Sequence, residues 1–192
     1  MKKIFGLFFV LIFCTSVFAW DDAGHKISAE IAWRNMTPAA REKAIALLLA
    51  APENSGILNL LASDSRSLMT RQEQMFDTTA TWADLIRDKN FPVRNKEFHH
   101  GSWHYMDTFW RDVNGRVEIV TDLKPTDSNL TDSNLNEQNA VERLFALEKT
   151  LRDPMQPNAE RAVALAWILH LAGDIHQPLH CSGRVTTLEP AG

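Results

Sequence analysis

The strongest apolar periodicity lies in the second half of the chain. Val141, Leu144, Phe145 and Leu147 recur at helical spacing and predict an amphipathic helix over 139–151. Pro154 and Pro157 separate it from a second helix, which opens with Asn158 as N-cap and runs through Trp167 to about His176. Pro178 stops it, because proline lacks a donor and disfavours helical geometry at Gln177. Nearer the start, Ile27, Ile31 and Trp33 form a helical stripe. Thr37-Pro38 reads as a cap and first helical position, opening a helix over 39–50. Residues 51–56 read as a loop, and 57–70 as partly helical with a break near Ser63-Asp64-Ser65. One helix is expected over 75–87, ended by Phe91-Pro92. Residues 98–107 carry aromatics and β-formers and read as extended, and 112–120 as a small hairpin about Asn114-Gly115. A five-residue tandem duplication, 126–130 and 131–135, is polar and too short for a repeat architecture. Strand signals are few. The expected class is all-α, a multi-helix single domain with at most that hairpin.

The extreme N-terminus reads differently. Met1-Lys2-Lys3, an apolar run over 4–13, and small residues at Val17 and Ala19 describe a signal peptide over 1–19, cut after Ala19. The run is too short to span a bilayer. The expected mature chain, 20–192, begins at Trp20, carries no membrane anchor and is secreted or periplasmic; the alternative is a retained N-terminal anchor. Losing Lys2 and Lys3 leaves 18 basic against 24 acidic residues. That balance does not advertise a nucleic-acid binder, although bound divalent metal can reverse the local sign. Cys181 is the one cysteine left, so no internal disulfide can form, and stability must come from packing and metal.

Candidate chemistry gathers at the end of the second helix. His170 and Asp174 are four residues apart, on one helix face and about 6 Å apart along the axis. His180 comes off a turn just beyond the helix. Two imidazoles and a carboxylate make a borderline-metal site; the competing reading is a buried His–Asp hydrogen bond with a surface His180. His176 lies about 240° round the helix from His170 and points away. His99 and His100 sit in a polar stretch and read as surface residues, while Trp82, Trp103 and Trp167 read as core.

Four motifs occur in order: Trp20-x-x-x-Gly24-His25, Trp82-Ala-Asp84-x-x-Arg87, Trp103-His104-Tyr105-x-Asp107, and His170-x-x-Gly173-Asp174-x-x-Gln-Pro-Leu-His180. Together they resemble the S-one/P-one type zinc nucleases, from the first mature residue to about Gly183. The resemblance implies a mostly helical, secreted, three-zinc phosphodiesterase that cuts single-stranded DNA and RNA to 5′-nucleotides and also acts as a 3′-nucleotidase. It implies a monomer whose partners are single-stranded nucleic acid or nucleotides. Asp84, His104, His170 and Asp174 would hold one Zn2+. Asp174 would bridge to a second, bound by His25 and by the α-amine and carbonyl of Trp20. That amine is free only after signal cleavage, so the precursor should bind less zinc. His180 would hold the third. Asp84 and Arg87 would be catalytic, orienting water and stabilising phosphoryl charge. Tyr105 and Asp107 would stack and read a base.

Members of that family continue past the Pro-Leu-His into a Gly-Gly-Asn loop and a segment supplying a further His and Asp. Here the chain stops at Gly192, and Glu189 is the only later acid. The expectation is an N-terminal portion of the nuclease domain, with an incomplete third zinc site. Two alternatives follow: a zinc-dependent phospholipase C of the same architecture, and an inactive zinc-binding remnant.

Overall fold

A computed structural model describes residues 22–120 and 139–186. The expected signal peptide, Trp20 and the tandem duplication lie outside the described residues. Among the described residues, seven α-helices and three short strands follow in order: α1 (Asp22–Asn35), α2 (Pro38–Leu48), α3 (Leu68–Thr79), α4 (Trp82–Leu85), α5 (Pro92–Phe98), β1 (Thr108–Val113), β2 (Arg116–Ile119), α6 (Ala140–Arg152), α7 (Asn158–Asp174) and β3 (Ser182–Arg184).

The hub is α7. Its residues from Ala162 to Asp174 are mostly buried on every side, as expected of a helix surrounded by others. Contacts with α1, α2, α4 and α6 account for this burial, and the alanines at 162, 164 and 166 let those neighbours approach closely. Trp167 sits at the centre, edge-on to Trp82 with centroids 6.0 Å apart and tilted against Trp103 at 4.9 Å. The buried Trp82 indole donates to the Ser55 carbonyl (2.8 Å) and so pins a 3-10 turn, Glu53–Ser55, that forms within the stretch expected as a loop and precedes a second one, Ile57–Leu60. All three tryptophans are core, as the sequence suggests.

Helix starts follow local chemistry. Thr37 accepts from the Ala40 amide with Pro38 in the first turn, and Asn139 with Glu142 closes a capping box on α6. Asn114 and Gly115, both at positive φ, turn the β1–β2 hairpin. The sheet gains a third strand that periodicity did not suggest: β3 pairs parallel to β1 in the order β2-β1-β3.

Several expectations fail for identifiable reasons. The single helix over 75–87 is two helices. Thr79 Oγ1 bonds the Met75 carbonyl, and the Thr78 carbonyl accepts from both Oγ1 and N–H of Thr81; the backbone tightens to i→i+3 bonds here and α3 ends at Thr79. Arg87 therefore lies past the end of α4, not on a helix face. Pro92 opens α5 instead of ending a helix. Residues 101–104 form a 3-10 turn within the stretch read as extended. Asn158 is the first residue of α7, with Pro157 in the cap position. Of the expected α1 stripe only Trp33 is buried; Ile27 and Ile31 are exposed, and His25 and Ala29 are buried in their place. His99 and His100 are half-buried, and His100 stacks on Trp103 with centroids 3.8 Å apart.

Candidate metal centre

Six side chains from five separate segments meet at the C-terminal end of α7. His170 and Asp174 come from α7 itself, His25 from the first turn of α1, and Asp84 from α4. His104 ends the 3-10 turn before β1, and His180 ends the turn after α7. Asp174 is 1% exposed, and four imidazoles surround its carboxylate. Oδ2 lies 3.0 Å from His104 Nδ1 and 3.1 Å from His170 Nε2. Oδ1 lies 3.5 Å from His25 Nε2 and 3.4 Å from His180 Nδ1. His104 and His170 also approach each other, with Nδ1 and Nε2 separated by 2.9 Å.

Backbone carbonyls fix the tautomers. His170 Nδ1 faces the Ala80 carbonyl at 2.7 Å, so Nδ1 carries the proton and Nε2 presents a lone pair to Asp174. Ala80 follows the residue where the threonine hydroxyls end α3, which is why its carbonyl is free for this bond. His180 Nδ1 faces the His104 carbonyl at 3.0 Å, leaving its Nε2 as the bare nitrogen. A lone pair and a carboxylate oxygen facing each other in a dry interior repel unless a proton or cation lies between them. His25 Nδ1, His104 Nε2 and Asp174 Oδ1 are buried without a hydrogen-bond partner.

The charges follow from this packing. Burial pushes the His25 imidazole down to about 4, with nearby His170 adding to the effect. Burial lowers His104 as well, against the opposing pull of its bond to Asp174. Burial alone would raise Asp174, but the close approach of His104 and His170 to its oxygens holds the carboxyl well below the usual carboxylate range. Neutral His25 and His104 beside an ionised Asp174 give the protonation state a metal needs. Two donor groups emerge, each with ligand atoms within 4.8 Å of one another: His104, His170 and Asp174, and His25, Asp84 and His170. Imidazole nitrogen with carboxylate oxygen suits zinc.

Asp84 and Arg87 form the open edge. Asp84 is 40% exposed and sits 3.9 Å from His25 Nε2. Arg87 bonds Asp84 Oδ1 at 3.2 Å and is 54% exposed. On the other flank, Tyr105 is stacked on His180 with centroids 4.8 Å apart and remains 38% exposed. Burial raises the carboxyl of Asp107, with His180 opposing. His176 is exposed and bonds the Ala172 carbonyl, away from the cluster. A hollow of about 310 Å³ lined by His100, Trp103, Arg143 and Trp167 contains none of the six.

Residues 20–188 match the family described as S1/P1 nuclease. The chain belongs to the S1/P1 nuclease family. No curated protein and no solved structure matches it. Membership makes this chain a hydrolase acting on nucleic acids, in a family that depends on zinc. Among the described residues, no helix is long and apolar enough to cross a membrane. The motif positions of this S1/P1 nuclease converge as described, apart from Trp20, which lies outside the described residues. One contributor was invisible in the sequence: the Ala80 carbonyl, a backbone group that no side-chain pattern announces.

Proposed function

We propose that this chain is an exported zinc-dependent phosphodiesterase that hydrolyses single-stranded DNA and RNA to 5′-nucleotides and removes 3′-phosphates from nucleotides. The observation that carries the reading is the convergence of a bare His170 Nε2 and a second imidazole, His104, on one buried carboxylate, with orphaned donors and acceptors around it. His104, His170, Asp174 and Asp84 would hold one zinc. His25, Asp174 and the Trp20 terminus would hold a second, and His180 would contribute to a third. When bound, zinc supplies Lewis acidity and lowers the pKa of water towards about 7.

The chain's own groups do the rest. Asp174 supplies negative charge between the imidazoles, and Asp84, at the open edge, orients the attacking water. Arg87 stands beside Asp84 with its guanidinium exposed, where it can stabilise charge developing on phosphoryl oxygens. Tyr105 offers a ring face to a base, and stacking tolerates any base. Asp107 offers an acceptor and, when protonated, a donor to a base edge. Trp167, packed edge-on to His104 at 5.4 Å, holds one wall of the site dry.

The test combines zinc analysis of the signal-cleaved chain with hydrolysis of single-stranded DNA, RNA and phosphatidylcholine. Zinc-dependent cleavage of the nucleic acids alone is expected. Preferential phosphatidylcholine hydrolysis would reassign the substrate, and bound zinc with no turnover would identify a binding remnant.

A further inference from the structure

Gly173 occupies the last turn of α7, one residue before Asp174, and is buried. Its φ is not positive, so the backbone does not require glycine. Elsewhere in a helix, alanine at such a position is the more stable choice. Here it cannot fit: a Cβ on residue 173 would lie 2.6 Å from His25 Nδ1, 3.1 Å from His25 Cε1 and 3.5 Å from Ser28 Oγ. The ring has little room to retreat. His25 is 1% exposed, its ring stacks on His170 with centroids 3.9 Å apart and planes 20° from parallel, and Ser28 is tied to the His25 carbonyl at 2.8 Å.

We propose that Gly173 is a positioning residue: the space left by its missing side chain is the seat of the His25 ring, and that seat keeps Nε2 of His25 facing Asp84 and Asp174. The metal part of this inference rests on the reading of the site given above; the contact part does not. A methyl group at 173 drives the imidazole off its stack on His170 and removes one nitrogen from the donor group formed with Asp84 and His170. The His104, His170 and Asp174 group does not include His25 and keeps its three ligands.

The experiment uses the full mature chain in four forms: wild type, Gly173→Ala, His25→Ala and the double variant. In chelator-stripped protein, Gly173→Ala lowers Tm in the wild-type background. It raises Tm by roughly 2–4 °C in the His25→Ala background, where only its helix preference is felt. In zinc-loaded protein, Gly173→Ala loses the same equivalent of zinc that His25→Ala loses, and the double variant loses no more. A Tm shift of the same sign and size in both backgrounds overturns the contact. Full zinc retention by Gly173→Ala overturns the positioning role. A wild type that takes up no zinc refutes the metal reading of the site instead, while the stripped-protein comparison still decides whether Gly173 seats His25.

Discussion

Asp77 on α3 faces α1 with its Oδ1 buried and no donor opposite it. Burial, then Glu30 of α1 and Glu73 one turn back on α3, push its carboxyl from the ordinary 3.8 up to about 7, and Arg34 of α1 only partly opposes them. Below pH 3.8 the group is protonated whether the chain is folded or not, and stability is complete. As pH rises towards about 7, the unfolded chain ionises freely while the folded one holds its proton, and stability is lost. At full strength that loss is about 4 kcal/mol; water reaching a half-buried group cuts it to about 1–2 kcal/mol. Asp77→Asn keeps the shape and never ionises. It should raise Tm by roughly 3–6 °C at pH 8 and by almost nothing near pH 4, measured as variant minus wild type in thermal melts at fixed zinc. The joint matters to the site because α1 carries His25 and α3 ends beside Ala80. Equal shifts at both pH values, or a lower Tm for Asp77→Asn at pH 8, would refute the reasoning.

Arg87→Ala should lower kcat on single-stranded DNA by about 10²–10³-fold while moving stability by less than about 0.5 kcal/mol, since its partner Asp84 is itself exposed; steady-state kinetics and a melt separate the two. Tyr105→Ala should raise KM for oligonucleotides by roughly 5–150-fold, the range for losing one stacked base, with the zinc content unchanged. Because the folded His25 imidazole sits at about 4 and free imidazole at 6.5, protons compete for it only near pH 4. In the stripped protein that depressed value means that stability falls as pH drops from 6.5 towards about 4; thermal melts across that window should show the loss in wild type and not in His25→Ala, and equal pH profiles would contradict it.

What the residues disclosed, and what they hid, divides along physical lines. Helix α6 was legible because capping and packing agree: Asn139 and Glu142 close a capping box ahead of the buried Leu147, although Phe145 of the expected stripe faces outward; α7 was legible from its long apolar run, its cap falling on Pro157 instead of Asn158. The candidate ligands stood out by residue type, and His25, Asp84, His104, His170, Asp174 and His180 do gather at one place. Periodicity misjudged α1, where Ile27 and Ile31 face outward and a histidine is buried, because a polar cluster outranks an apolar stripe when it has partners inside. The break between α3 and α4 is absent from the apolar periodicity because it rests on local threonine hydroxyl bonds and i→i+3 backbone bonds, which hydrophobic spacing does not register. The pairing of β3 with β1 joins residues over seventy positions apart, a separation that no local window spans.

That distant pairing has a mechanical consequence. Met106 donates to the His180 carbonyl at 2.8 Å and Thr108 to that of Cys181 at 3.0 Å, so the chain on either side of the Tyr105–His180 stack is laced together. Tyr105 and His180 behave as two jaws of one bracket. Substitutions that slacken the lacing would let both drift in concert, leaving Asp174 and its helix where they are.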